Sequence, residues 1–287
     1  METKVIKKDN PKFPELLRQI PDAPKQLYYK GEWNEDLFDN CLAVVGSRRM
    51  TQYGKKATDM LVSQTAAAGV TIVSGFMFGV DAAAHQVAVD SGGKTIAVMP
   101  CGIERVHPEH QKDLYEKIIE TGGLIVSEWE GNSIPQNWTF PRRNRIVAGL
   151  SKASLVVEAA LDSGSLITAA LAKKYGRKLF AVPGPITSDR SAGTNQLIGQ
   201  GALVVTNADD ILAFFGKKQL AKKKQALAAH SENPVEQQII TVLQKESIEI
   251  DWLARKTGMP IAELSTTLSL MELQGLVGQE GGKYYIN

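Results

Sequence analysis

The chain of 287 residues carries 33 basic and 31 acidic side chains, and 43% of its residues are apolar; this is the make-up of a globular protein with one large domain, or a large one and a small one. Its two cysteines, Cys41 and Cys101, fit neither a disulfide framework nor a zinc motif and read as core thiols in a reducing compartment. The polar N-terminus "METKVIKKDNPKF" excludes a secretory signal, and no apolar run approaches the ~20 residues of a membrane span, so a cytoplasmic protein is expected.

Residues 1–40 carry 7 basic and 8 acidic groups. They are too few for an independent core, and "FPELLRQIPDAPKQLYYKG" is expected to be a short lead-in that packs on the larger domain beginning at residue 41. From 41 to 216, Val/Ile-rich runs recur: "LAVVG", "VTIVSG", "TIAVMP", "LIVSE", "SLVVEA", "LFAVPG" and "ALVVT". They show little alternation, as expected of strands buried on both faces. Segments of helical period separate most of them, among them "YGKKATDMLVSQTAAAG" and "SLITAALAKKYG", with Gly69 and Gly176 placed as helix-ending glycines. The fold class is therefore α/β, a doubly wound and mostly parallel sheet.

Residues 217–232, with five lysines and one glutamate, read as a basic linker and a solvated charge run. Residues 233–287 contain three helical patterns, with Pro234 and Pro260 at starts and Gly258 and Gly275 at ends, then a hairpin around Glu280-Gly281-Gly282. That order is a winged helix. Its third helix has no Lys or Arg, carries Glu263 and Glu272, and belongs to a module with 4 basic and 7 acidic groups. Duplex recognition needs cations or amides there, so a protein-contact or regulatory role is the expectation for this module.

Ligands of such sheets bind beyond the C-terminal ends of the strands. Four segments fall there: Gly46-Ser47-Arg48-Arg49, Ser74 to Asp81 (including Gly75 and Gly79), Phe140 to Arg145, and Ser163-Gly164-Ser165. Each brings glycine, hydroxyl or guanidinium to an expected helix start, where backbone N–H groups favour phosphate. Four such corners on one edge suit an extended anion. Taken singly, Gly46 and Gly75 also fit plain turns, and Ser163 a plain N-cap.

Pro141 reads as the first residue of a helix, which puts Arg142, Arg143 and Arg145 in its first turn, at the positive end of the dipole. On a helical wheel, Ile146, Val147 and Leu150 mark the buried stripe. Arg143 falls on that stripe, Arg142 at its edge, and Arg145 largely away from it. Arg143 is expected to point toward the sheet edge, either into a phosphate track or into a buried pair with Glu128 or Glu158.

Several enzymatic signatures fail. Gly93-Lys94-Thr95 leads into a strand and lacks the first P-loop glycine; no G-x-G-x-x-G follows the first strand; Gly149 to Ala153 lacks the second glycine of a nucleophile elbow. Asp81 and His85 share a helix face but have no third metal ligand in view, and a structural hydrogen bond is the simpler reading.

The motifs "GSRRMTQYG", "SGFMFGVDAAAH", "WTFPRRNRIVAGLS", "VVEAALDSGSLITAALAKKYGRKLFAVPG" and "SAGTNQLIGQGA" resemble, in order and spacing, those of the DNA processing protein A (DprA, or Smf) family. The resemblance implies a Rossmann-like domain that binds single-stranded DNA without sequence preference. It also implies a dimer that protects the strand and helps load the RecA recombinase in natural transformation, with no enzymatic activity and no cofactor. Carried across, the DNA site comprises Gly46, Ser47 and Arg48; Ser74, Gly75 and Gly79; Arg142, Arg143, Asn144 and Arg145; Ser163, Gly164 and Ser165; and, further along the last helix, Lys173 and Lys174. Loss of Arg48 or Arg143 is expected to weaken binding without unfolding the domain. Phe76-Met77-Phe78 departs from the small or aliphatic residues usual in that loop, which leaves core packing and base stacking both open for the two phenylalanines. Two rivals are a hydrolase of the nucleoside-monophosphate glycosidic bond, whose P-G-G-x-G-T pattern is broken here, and a winged-helix transcription regulator.

Overall fold

The computed structural model describes residues 2–217, 233–243 and 246–286. Apart from Lys217, the stretch read as a basic linker lies outside them. The chain divides into two compact units, Met1–Gln219 and Leu220–Asn287.

The first unit is built on nine strands: β1 (Lys4–Lys7), β2 (Gln26–Gly31), β3 (Cys41–Val45), β4 (Thr71–Ser74), β5 (Thr95–Gly102), β6 (Leu124–Trp129), β7 (Ala153–Val156), β8 (Lys178–Ala181) and β9 (Leu203–Val204). Their order is β1-β2-β6-β5-β4-β3-β7-β8-β9. Strands β3 to β9 pair in parallel; β2 joins β6, and β1 joins β2, antiparallel. Between them run α1 (Glu15–Arg18), α2 (Gln52–Ala67), α3 (Val80–Asp90), α4 (Lys112–Glu120), α5 (Thr139–Leu150), α6 (Ser165–Lys174), α7 (Asp189–Gly199) and α8 (Ala208–Leu212).

The absence of alternation in "LAVV" has a direct cause. Ala43 and Val45 pack toward Ile146, Val147 and Leu150 of α5, while Leu42 and Val44 pack toward Leu61 and Val62 of α2 and Val80 of α3. Both faces of β3 are dry, so period 2 vanishes from its sequence. The lead-in does more than cover the core, because it supplies two strands. These escaped the pattern reading because only Ile6 and Leu27 in them are fully buried. Cys41 and Cys101 are buried free thiols.

The chain lays β4, β5 and β6 successively outward on one side of β3, then crosses to β7 on the other side. The direction of winding therefore reverses between β3 and β7, where loops diverge and leave a crevice at the C-terminal strand ends.

The second unit holds α9 (Pro234–Leu243), β10 (Ile248–Glu249), α10 (Ile250–Thr257), α11 (Ile261–Leu273), β11 (Val277–Glu280) and β12 (Lys283–Ile286). Its sheet order is β10-β12-β11, and Ile239, Ile240, Leu253, Leu264, Leu268 and Met271 form its core. Gly281 and Gly282 have φ of +58° and +79°, as a two-residue hairpin turn of this hand requires.

Candidate functional site

Helix α5 begins at Thr139, two residues before the start that Pro141 suggested. Thr139 Oγ1 closes the preceding turn, accepting from Gln136 N (3.1 Å) and donating to Gln136 O (2.8 Å). Pro141 sits third, where its missing N–H is still one of the first four without an intrahelical partner. Arg142 consequently closes the first turn, and Arg143 and Arg145 lie beyond it, where the adverse dipole effect has largely faded.

The three arginines have separate fates. Arg143 is 3% exposed, and its Nη1 donates to the carbonyls of Gly75 and Val98, while Nε donates to Asn144 Oδ1 (3.1 Å). Burial pushes its pKa down to about 10, against the opposing pull of Asp81, so it stays charged near neutrality. Burial in turn raises the Asp81 carboxyl above its ordinary range, and Arg143 offsets that rise. Arg143 therefore does not pair with Glu128 or Glu158; it ties α5 to the ends of β4 and β5. Gly75 is required for this contact, since a Cβ there would stand 2.5 Å from the guanidinium.

Arg145 corrects the wheel, which faced it largely away from the core. It is 6% exposed and bonded to Glu128 and to the carbonyl of Asp22, because the lead-in covers that side of the helix. Arg142 is half-exposed and pairs with the same Glu128 (3.1 Å). One carboxylate thus occupies two of the three arginines.

The loop after β3 is also built from within. Glu158, buried just beyond the end of β7, accepts from the backbone N–H (2.9 Å) and the hydroxyl of Thr51, the N-cap of α2. A Cβ on Gly54 would fall 2.2 Å from that carboxylate. The start of α2 is therefore already occupied by an anion, and the expectation that this corner receives phosphate through its helix N-terminus is revised. At α3, Val80 N–H donates to the Ser47 carbonyl (3.2 Å). Gly79, with φ of +74°, presses so close to that carbonyl that a Cβ would lie 2.1 Å away. The two loops are locked together, and the side chains of Arg48 and Arg49 are left facing outward and exposed.

A cleft of about 600 Å³ opens at the reversal between β3 and β7. Of the residues singled out from sequence, it gathers Gly46, Ser47, Arg48, Gly75, Arg143, Asn144, Ser163, Gly164 and Ser165. Ser74, Gly79, Arg142, Arg145, Lys173 and Lys174 do not line it. Ser74 is buried and donates to Val44 O (2.6 Å), and the two lysines end α6, whose start is the part that faces the cleft. On the β7 side, Ser163 Oγ bonds Ser165 Oγ (2.8 Å), and Gly164 stands in open space.

Sequence reasoning passed over Arg190, in the first turn of α7, which lines the same cleft. Its only sequence signal was its place beside "SAGTNQ". Four arginines (48, 49, 143 and 190) and two aspartates (81 and 162) line the cleft. Among the described residues, none forms an ion pair with Arg48, Arg49 or Arg190. Arg48 lies over the Phe140 ring, 4.9 Å from its centre, which holds the guanidinium at the mouth.

The Asp81–His85 pair is not a joint site. His85 Nδ1 bonds Thr95 Oγ1 (2.7 Å) and the ring packs 5.7 Å from Phe76. Among the described residues, no group of three metal-ligating side chains comes together. Phe76 is buried with φ of +58°, a left-handed backbone rarely adopted outside glycine, whereas Phe78 is 45% exposed. The loop therefore sends one aromatic into the core and the other out.

A doubly wound sheet with a cationic crevice at its reversal point, followed by a winged helix, defines a Rossmann-like anion-binding protein. The family model for DNA recombination-mediator protein A matches residues 4–216, and the DprA winged-helix model matches residues 223–283. The chain belongs to the DNA processing protein A (DprA/Smf) family. It is 37% identical over 286 residues to Protein Smf of Escherichia coli, covering 98% of this chain and 76% of that protein. The X-ray structure of DprA from Streptococcus pneumoniae is similar to it with a TM-score of 0.69 at 39% identity, over 74% of each chain. A structure of DprA from Helicobacter pylori, described for its single-stranded DNA binding mode, matches with a TM-score of 0.67 at 33% identity, over 75% of this chain and 95% of that one. No helix among the described residues is long and apolar enough to cross a membrane.

Proposed function

We propose that this protein binds single-stranded DNA without sequence preference, through the cleft at the β3/β7 reversal. The observation that carries the reading is the set Arg48, Arg49 and Arg190: three guanidinium groups around one cleft, with no carboxylate partner among the described residues. A guanidinium fork matches phosphate oxygens and discriminates little between bases. The Ser163–Ser165 turn adds hydroxyls on the opposite wall. Arg143 acts from below as a fixed charge, and Arg142 and Arg145 act through Glu128 to hold α5. The cleft works by binding rather than by chemistry. On the family resemblance we extend the proposal to a homodimer in the cytoplasm that hands the bound strand to a RecA-type recombinase.

The test is salt-dependent binding of the full chain to labelled oligo(dT) and to a duplex of equal length. Three phosphate contacts predict a slope of log affinity on log salt near about −2 for the single strand. Tighter binding of the duplex, or an affinity indifferent to salt, contradicts the proposal. Release of free base from AMP would replace it with the hydrolase reading.

A further inference from the structure

The exposed half of the Phe76–Phe78 loop has no role in the cleft as described. Phe78 keeps 45% of its surface in solvent, although the loop around it packs closely on its neighbours. On one side, Met77 lines the cleft. On the other, Gly79 is wedged against Ser47, and a Cβ on it would also lie 2.9 Å from the Arg48 backbone. The ring itself is held flat against His110, with centroids 5.1 Å apart and planes 15° from parallel. His110 is exposed too. A large apolar ring fixed in water beside a cationic cleft is costly to display unless something covers it.

We propose that the Phe78–His110 pair is a base-stacking platform at the mouth of the cleft, taking one nucleobase of a strand whose phosphates lie along Arg48 and Arg49. This rests on the single-stranded DNA reading of the cleft. The chemistry selects the occupant. An unpaired base offers a flat π-face that a paired and stacked base in a duplex does not, and its phosphate reaches the arginines alongside. The imidazole fixes one face of the phenyl ring and leaves the other for the base, so little side-chain freedom remains to be lost on binding. The platform lies on the β4–β5 side of the cleft.

The experiment compares full-length wild type, Phe78→Ala, Phe78→Trp and Arg48→Ala on two probes, oligo(dT) and an oligomer of equal length and charge with abasic units throughout. Phe78→Ala is expected to weaken oligo(dT) binding at least about fivefold with an unchanged salt slope, since stacking is neutral in charge. It should leave the affinity for the abasic probe unaltered, and Phe78→Trp should restore oligo(dT) binding. Because Phe78 is exposed, its melting temperature serves as the control for folding. If Phe78→Ala loses affinity equally on both probes, or on neither while Arg48→Ala weakens both, the platform is refuted and the cleft reading stands. If Arg48→Ala also changes nothing, the cleft reading itself falls.

Discussion

The two units of this chain invite a comparison. A winged helix is a common scaffold for reading duplex DNA, and a Rossmann-like sheet is a common scaffold for holding nucleotides. Here the surface chemistry is concentrated on the sheet. Its cleft carries four arginines against two aspartates. The third helix of the winged unit, α11, carries no Lys or Arg and instead exposes Ile261, Leu270 and Leu273. Fold supplies a shape, and the distribution of unpaired cations decides which shape meets nucleic acid.

Within the sheet unit the same contrast recurs on a smaller scale, between arginines that build the fold and arginines that we propose bind the strand. Arg143 and Arg145 are buried and hydrogen-bonded within the fold, whereas Arg48, Arg49 and Arg190 have no ion pair among the described residues. The largest expected effect comes from the first group. Arg143→Ala strands two buried carbonyls and the Asp81 charge, and should cost about 3–5 kcal/mol of stability in chemical denaturation. This revises the expectation that Arg143 can be removed without unfolding the domain. A stable, weakly binding Arg143→Ala would move it into the binding class and blur the distinction.

The next effect, smaller within any one pH unit, concerns pH. Burial, with the Arg143 charge adding to it, holds the His85 imidazole neutral and pushes its pKa down to about 3. The unfolded chain takes up that proton near pH 6.5, so between about 6.5 and 3 the unfolded state binds one more proton than the folded state. Stability is fully present above 6.5 and declines as pH falls, by up to about 1.4 kcal/mol per unit from this group. A pH series of denaturation curves should show that slope, and His85→Gln should flatten it. An unchanged slope in the variant would mean that the ring is not the group responsible.

The smallest effect belongs to the winged unit. Ending the chain at residue 219 should change oligo(dT) affinity by less than about threefold, since a module at net negative charge contributes little phosphate attraction. A loss of tenfold or more would overturn the division of labour drawn between the two units.

Much of the first unit was legible in the sequence because its central strands are dry on both faces and its helices end on glycine. What was not legible has physical causes. "KVIK" and "QLYYKG" each bury one residue fully, so an edge strand looks like a loop. Pro141 gave a true helix signal at the wrong position, because proline is tolerated at any of the first helical positions, not only the first. Arg145 was misplaced because a helical wheel sees only the helix's own apolar stripe, while the segment that covers it, around Asp22, comes from 123 residues away. Arg190 carried no pattern of its own. At the corner before α2, the Glu158 carboxylate meets the helix start, and nothing in the local sequence signals a partner 107 residues away.

The central claim is that the arginines at the β3/β7 reversal with no ion pair among the described residues hold the strand. It is tested most directly by the Arg48→Ala/Arg190→Ala double variant, titrated with oligo(dT) across a salt series. The account predicts a melting temperature close to that of the wild type and a salt slope shallower by about 1.4, two phosphate contacts at about 0.7 each. An unchanged slope and affinity in a folded double variant would contradict it.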